Sequence, residues 1–476
     1  MRGAFDHSKA LRAQETTIPG LVLLELPVPG DKRGWFKENW QREKLLALGL
    51  PDLGPVQNNI SFNDAVGTTR GIHAEPWDKY VSVATGRIFG AWVDLREGAT
   101  FGTVFTTELD PSRAILVPRG VGNSYQTLEP DTAYTYLVND HWSPDAEYTF
   151  LNLADETAGI PWPIPLDEVE ISAKDLAHPR LADVVPMRPK KTLVLGSNGQ
   201  LGRALRAVLP DAEFAARADF DLTDPAAWTS RRWKDYGVII NAAAYTAVDT
   251  AETPEGRRDA WAVNVGAVAE LARIAAANDI VLVHVSSDYV FDGTVEVHAE
   301  DEPFSPLGVY GQTKSAGDAL VATVRRHYIV RSSWVIGDGA NFVRTMASLA
   351  RRGVAPSVVD DQYGRLTFAD GIADLIARLL ADQAPYGTVN FSAGGPTATW
   401  ADVARAVFEL VGADPSQVTG VSSEAYFRDK PEAAPRPQHS TLDLGRAADL
   451  GVEPRDWREL LALYLGVAED GVSSAV

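Results

Sequence analysis

Cysteine is missing altogether from this 476-residue chain. That excludes disulfides, thiolate nucleophiles and cysteine-ligated metals, and it suits a reducing compartment, so a cytoplasmic location is expected. Histidine is scarce too, with eight in all, and the first 183 residues hold only His7, His73, His141 and His178, with no H-x-H pair. A metal-dependent barrel needs two or three clustered imidazoles and a carboxylate, so no metal is expected. Positive charge is outnumbered: 44 Lys and Arg against 64 Asp and Glu leave a net charge of −20. Such a surface repels nucleic acid and anionic membranes, so neither is an expected partner and any cationic cluster becomes informative. Long apolar runs are lacking as well; none reaches the roughly 18 residues of a membrane span. The start, MRGAFDHSKALRAQETT, has no apolar core followed by a small-residue cleavage site.

What remains is globular in composition, 45% hydrophobic and 23% charged, and it is written in two styles. From about 18 to 165 short alternating runs are broken by turns, as in KYVSVATGRIFGAWVDLR, ELDPSRAILVPRG and TAYTYLVNDHWSP, with one helical stretch, QREKLLALGL. Many short strands at this spacing predict an all-β sandwich or jelly roll. After a Pro-rich passage, LAHPRLADVVPMRPK, the style becomes strand–helix alternation: TLVLG, LGRALRAVL, VIINAAA, AWAVNVGAVAELARIAAAN, IVLVHVSS. That order predicts a parallel, doubly wound sheet covered by helices. The expected organisation is a β domain over 1–183, a linker over 184–190 and an α/β domain over 191–476, the latter with a small substrate-binding subdomain.

In the α/β part, GSNGQLG places Gly196, Gly199 and Gly202 directly after a strand, with Asn198, Gln200 and Leu201 between them. Glycines there permit a tight turn and the close approach of a pyrophosphate to a helix amino end, where free N–H groups favour anions. Downstream, Tyr310 and Lys314 in YGQTKSAGD are four apart and share one helix face. A nearby ammonium favours phenolate, so Lys314 is expected to lower the Tyr310 pKa; Tyr310 is then a proton donor to a carbonyl that receives hydride, and Ser287 in HVSSDYVFDG can hold the carbonyl oxygen. The stretch AARADFDLTD offers both Arg217 and the acids Asp219 and Asp221. Arg217 or Arg203 suits the extra phosphate of NADPH and the acids suit the ribose of NADH; NADPH is favoured and NADH stays open. In the β part, Arg70, His73 and Lys79 gather cationic groups in TRGIHAEPWDKYV, as a sugar-nucleotide diphosphate requires.

These residues carry two family resemblances. Residues 191 to about 466 resemble the extended short-chain dehydrogenase/reductases, and within them the dTDP-4-dehydrorhamnose reductases, through TLVLGSNGQLG, NAAAYTAVDTAE, SSDYVFDGT, YGQTKSAGD, VRSSWVIG, DDQYGRLTFADGIADL and PRPQHSTLDL. The resemblance implies Ser287, Tyr310 and Lys314 as the catalytic set, with Ser287 standing where the family has Thr. It implies Asp288 and Trp334 at the sugar, and Asp221, Leu222, Ala242, Ala243, Ala244 and Asn264 along the cofactor.

Residues 17 to about 183 resemble the dTDP-4-dehydrorhamnose 3,5-epimerases, cupin-type jelly rolls, through DKRGWFKE, QNN, TRGIH, YLVNDHW and SAKD. That likeness implies His73 as base, Asp175 as its partner, Lys79 as enolate stabiliser and Tyr136 as the opposite-face acid. It also implies Arg33, Glu38, Gln57, Asn59, Arg70, Asn123, Trp142, Glu147 and Lys174 as substrate contacts, and a homodimer through this half. Asn123 in PRGVGNSYQ departs from the family's histidine.

The chemistry fits: hydrogens at C3 and C5 of a 4-keto sugar are acidified by the carbonyl, and imidazole, with a pKa of about 6.5, is a suitable base at neutral pH. Together the two likenesses imply a bifunctional enzyme that epimerises a dTDP-4-keto-6-deoxy sugar and then reduces its ketone. Inversion at one carbon only, another nucleotide 4-keto-6-deoxy sugar, or a non-catalytic regulatory half remain as alternatives. The retention of Ser287, Tyr310 and Lys314 opposes the last.

Overall fold

A computed structural model of the chain describes residues 10–430 and 432–467, so His7 lies outside the described residues. The chain divides into two compact units, Met1–Pro189 and Lys190–Val476.

The first unit opens with β1 (Arg12–Glu15), β2 (Val22–Glu25), the small hairpin of β3 (Gly30–Asp31) and β4 (Gly34–Trp35), and helix α1 (Arg42–Ala47). Then follow β5 (Gln57–Asn63), β6 (Thr69–Ala74), β7 (Lys79–Thr85), β8 (Ile88–Asp94) and β9 (Val104–Leu109). The last strands are β10 (Arg113–Val117), β11 (Val121–Thr127), β12 (Thr132–Val138) and β13 (Thr149–Phe150), before the single-turn helix α2 (Ala173–Leu176). They form two antiparallel sheets, in the orders β1-β2-β10-β7-β12-β5 and β13-β6-β11-β8-β9. This is the jelly-roll class that the alternating runs predict. The turn between β7 and β8 falls at Gly86, where φ is +78°, a conformation that glycine adopts without strain. Inward residues of both sheets, among them Val81, Val83, Trp92, Ile115, Val121 and Tyr134, close the core between them. Val184 and Met187 are buried in a second cluster of the same unit with Ile72 and Val93. The expected linker therefore belongs to the first unit as far as Met187, because its apolar side chains find a core to enter.

The second unit contains β14 (Lys191–Leu195), α3 (Gln200–Val208), β15 (Glu213–Ala215), β16 (Tyr236–Asn241), α4 (Pro254–Trp261), α5 (Ala267–Asn278), β17 (Val281–Ser287), α6 (Val309–Val321) and β18 (His327–Ser332). With Gly387–Phe391 the strands make a parallel sheet in the order β15-β14-β16-β17-β18 and that last strand. Separate apolar clusters cover its two faces, as expected of a doubly wound sheet. Strand order reverses between β14 and β16, and the crevice outside their carboxyl ends is where such sheets bind ligands. The helices Phe342–Arg351, Trp400–Leu410 and Trp457–Tyr464 build a further core around Phe408 and Trp457.

One helical stretch, Pro254–Asn278, is long and apolar enough to cross a membrane by length and composition alone. Its Val268, Leu271, Ile274 and Ala275 pack instead into the core beside the sheet.

Candidate active sites

In the first unit, the R-G-x-H stretch runs along β6. A Cβ at Gly71 would come within 2.5 Å of the Ser124 Cβ, so only glycine allows β6 this close to β11. Two residues on, His73 keeps 34% of its side chain exposed, and its Nε2 lies 2.9 Å from Asp175 Oδ1. Asp175 is held in place by α2, whose N-cap Ser172 accepts the Asp175 N–H at 3.1 Å; its carboxylate is buried and also accepts Gly71 N–H at 3.4 Å. Asn123 pairs with His73 across the β6–β11 ladder.

A second group lies on β7 and β12. Buried Lys79 forms an ion pair with Glu75 and sits 5.7 Å from the centre of the Tyr136 ring. Burial and the nearby Glu75 raise the Tyr136 pKa, with Arg70 opposing them. Arg70 also donates to Asn63 Oδ1 at 3.3 Å, and Lys174 Nζ lies 5.5 Å over the Phe150 ring, which meets His73 edge-on.

The other predicted contacts are elsewhere. Arg33 is 90% exposed on the hairpin and pairs with its own Asp31. Glu38 pairs with Lys44 at 2.7 Å. Gln57 and Asn59 bond each other on edge strand β5, and Gln57 also meets His141 at 3.0 Å. Trp142 is 71% exposed and Glu147 is exposed. None of these six shares a described contact with His73 within one chain.

In the second unit, a cleft of about 870 Å³ opens at the strand-order reversal. Gly196, Asn198, Gly199, Gln200 and Leu201 line it, with Asp221 and Leu222, Ala242 to Ala244, Ser287, Asp288, Tyr310, Lys314 and Trp334. The glycine loop fits a dinucleotide. Gly196 has φ +80°, and a Cβ there would meet Ala243 N at 2.7 Å; a Cβ on Gly202 would meet Gly196 O at 2.3 Å. The first glycine thus makes the turn and the third lets α3 pack against it, while Gly199 caps the helix. Gly202 and Asn264 build the wall rather than face the cleft. Asn264 is buried, holds both backbone groups of Tyr245, which lines the cleft, and donates to Thr313 Oγ1 at 3.0 Å.

Electrostatics here differ from the expected pattern. Tyr310 is pushed up, first by burial and then by Asp288, with Ser287 as a hydrogen-bonding neighbour opposing the shift. Lys314 does not lower it. That lysine is itself buried and pushed down to about 8 by burial, with Nζ donating to Val285 O at 2.7 Å. Burial likewise raises Asp288 to about 6 against its hydrogen bonds from Ser440 and Ser287. At the cofactor end, Arg217 pairs with Asp221 at 3.2 Å, and Arg203 reaches the Asn198 carbonyl.

Comparison with known proteins matches these two sites to two families. The family model described as RmlD substrate binding domain covers residues 190–469, and the model described as dTDP-4-dehydrorhamnose 3,5-epimerase covers 15–183. A protein RmlC homolog of Streptococcus pyogenes is 50% identical over 193 residues, 39% of this chain and 96% of the relative. A dTDP-4-dehydrorhamnose reductase of Mycolicibacterium smegmatis is 37% identical over 298 residues, 59% of this chain and 88% of the relative. A crystal structure of the reductase of that name from Bacillus anthracis, in complex with NADP, aligns with TM-score 0.54 at 29% identity, over 59% of this chain and 99% of the other. The chain belongs to both families, one in each unit.

Several residues of the epimerase-family and reductase-family units escape a reading of the sequence. His178 joins the first site: its Nε2 is 3.8 Å from Asp175 Oδ1 and its ring is 5.3 Å from that of His73. The donor atoms of His73, Asp175 and His178 lie within 4.8 Å of one another, so folding supplies the clustering that the absence of an H-x-H pair argued against. Glu75 was legible only as a charge four residues before Lys79. In the reductase-family unit a second cleft of about 750 Å³ shares Tyr289 and Trp400 with the first and adds Tyr426, Phe427, Lys430 and Arg436. Lys430 Nζ sits 3.8 Å over the Tyr426 ring, and Arg436 pairs with Asp249 at 2.8 Å. Their segment has no spacing that marks a site.

Proposed function

We propose that the chain is a bifunctional enzyme that epimerises dTDP-4-dehydro-6-deoxyglucose at C3 and C5 and then reduces the C4 ketone with NADPH, towards dTDP-L-rhamnose. One observation carries this reading: the His73–Asp175 pair and a nucleotide cleft lined by Ser287, Tyr310 and Lys314 occur in one chain.

In the first unit His73 Nε2–H donates to Asp175, which leaves Nδ1 basic and able to take the proton from C3 or C5. The carboxylate then stabilises the imidazolium. Lys79 offsets charge on the enolate oxygen. Tyr136, whose pKa is raised by burial and Glu75, holds its proton until the opposite face of the enolate receives it. Arg70 and Lys174 supply positive charge for the diphosphate.

In the second unit NADPH, when bound, supplies the hydride. The glycine loop and the amino end of α3 hold its pyrophosphate, and Arg203 and Arg217 favour its extra phosphate over NADH. Ser287 holds the ketone oxygen and Tyr310, kept protonated by burial, gives it a proton. Asp288 and Trp334 orient the sugar. The aromatic and cationic residues of the second cleft suit the base and phosphates of the substrate.

A homodimer forms through the epimerase-family unit. Edge strand β5 leaves Ile60 and Phe62 68% and 57% exposed, and Phe36 on the hairpin segment is 70% exposed; an unpaired apolar edge of this kind calls for a partner strand. Sedimentation of the purified chain as a monomer would remove this part. The lack of cysteine and the need for a sugar nucleotide and NADPH support the cytoplasm as its place of action.

The deciding experiment supplies dTDP-4-dehydro-6-deoxyglucose and NADPH in heavy water and identifies the sugar by NMR. Deuterium at C3 and C5 of a 6-deoxy-L-sugar is expected; label at one carbon narrows the epimerase, and none removes it. Tyr310→Phe should abolish reduction while exchange persists, and His73→Asn should remove exchange while the fold and NADPH binding persist. Loss of both exchange and reduction in Tyr310→Phe would contradict two separate sites.

A further inference from the structure

Beside the base of the epimerase-family unit stands a second imidazole that the mechanism above does not use. The His178 side chain is only 6% exposed; its ring stacks on Phe150 at 4.8 Å and meets the His73 ring edge-on at 5.3 Å. Burial first, then His73, holds its pKa below the usual imidazole value, so the ring is neutral and one of its nitrogens carries a lone pair. Among the described residues its Nε2 has no hydrogen-bond partner. That nitrogen faces Asp175 Oδ1 at 3.8 Å, too far for a hydrogen bond. A buried polar atom left unpaired in this way is rare in a folded protein. Asp175 Oδ1 already meets His73 Nε2 at 2.9 Å. Two imidazoles therefore converge on one carboxylate oxygen, and the donor atoms of all three residues lie within 4.8 Å of one another.

We propose that His73, Asp175 and His178 form a binding site for a divalent cation of the zinc class, and that its occupancy switches the epimerase site off. The inhibition rests on the reading of His73 as base; the binding does not. Two imidazoles and a carboxylate are an ordinary zinc donor set, with the fourth position left to water. Water reaches it from the side of His73, whose side chain is 34% exposed while that of Asp175 is buried. Zinc bonds of about 2.0–2.1 Å put neighbouring donors about 3.3 Å apart, so the set closes around the ion, and rotation of the half-exposed His73 ring can do this. Positive charge nearby is already engaged: Lys79 pairs with Glu75, Arg70 donates to Asn63, and Lys174 lies over the Phe150 ring. Inhibition follows from the tautomer. The resting base carries its proton on Nε2 and its lone pair on Nδ1. A cation at Nε2 displaces that proton, and a neutral ring bound through Nε2 carries its proton on Nδ1 instead. One proton leaves Nε2 for solvent and another arrives at Nδ1, so the count is unchanged. An Nδ1–H cannot take a proton from C3 or C5, and Asp175 no longer has an imidazolium to stabilise.

The test titrates Co²⁺ and then Zn²⁺ alone into the untagged full chain labelled with ¹⁵N-histidine. Cobalt should give the intense visible bands of a four-coordinate site, and zinc should displace it. Nitrogen NMR of the zinc form should show His73 and His178 bound through Nε2, with the His73 proton on Nδ1. Absence of the cobalt bands, or histidine shifts that zinc leaves unchanged, overturns the proposal. His178→Phe keeps the stack on Phe150 and removes the ligand nitrogen. It should weaken zinc binding by about a hundredfold or more, and should raise equally the zinc concentration that halves deuterium exchange at C3 and C5, relative to the variant's own metal-free rate. Equal zinc affinity in parent and variant overturns the site, and full exchange in the zinc-loaded parent overturns the switch. If His178→Phe does not fold, the cobalt bands and nitrogen shifts of the parent decide. If the metal-free parent exchanges no 4-keto sugar, the epimerase reading falls, while the same bands and shifts still settle the cation site.

Discussion

Asn123 stands directly across the β6–β11 ladder from His73, and its side-chain oxygen is already taken by Trp92 Nε1 at 2.9 Å and the Tyr134 hydroxyl at 3.1 Å. Only its amide N–H groups are left for a ligand. Asn123 therefore offers whatever faces it a donor that never carries charge, and its side chain is tied to the aromatic core of the sandwich.

Asn123→Leu strands two donors, the Trp92 N–H and the Tyr134 hydroxyl. The expected loss is about 1–3 kcal/mol of stability, read by urea unfolding of the epimerase-family unit, together with slower solvent exchange at C3 or C5. A variant as stable as the parent would show that neither hydrogen bond matters to the fold.

Asp288 should make the reductase-family unit less stable as pH rises. Its folded pKa is raised from 3.8 to about 6 by burial, so between these values the folded state binds more proton than the unfolded one. Its contribution is therefore most favourable below the unfolded pKa and is lost as pH climbs through the folded one. Asp288→Asn should gain about 2–3 kcal/mol at pH 7.5 relative to pH 4, while ketone reduction falls. Equal pH dependence in parent and variant would rule this out.

Arg217 should decide between the two nicotinamide cofactors. Its side chain is 83% exposed and, among the described residues, tethered only to Asp221 at the cleft. Arg217→Ala is expected to raise the KM for NADPH roughly tenfold, the scale of one charged hydrogen bond, and to leave that for NADH alone. A parallel rise for both cofactors would place the arginine at the shared pyrophosphate instead.

Much of this protein was legible before folding. The period-two runs around Gly86, the three glycines after β14 and the four-residue spacing of Tyr310 and Lys314 each encode a local geometry that short stretches of chain impose on themselves. The expectation that Lys314 lowers the Tyr310 pKa was not met, because spacing on a helix says nothing of what else an ammonium meets. Here it meets Val285 O and His284, brought by a neighbouring strand.

Sequence alone determined the two fold classes, since strand alternation, helix periodicity and glycine turns are short-range properties. The family resemblance named Asp175 as the partner of His73, but only tertiary structure shows how such distant side chains meet. His73 and Asp175 are 102 positions apart, and their contact depends on the close approach of two strands at Gly71 and on one capped turn at Ser172. Protonation was likewise decided in three dimensions, because burial acts through everything packed around a group, and no stretch of sequence carries that environment by itself.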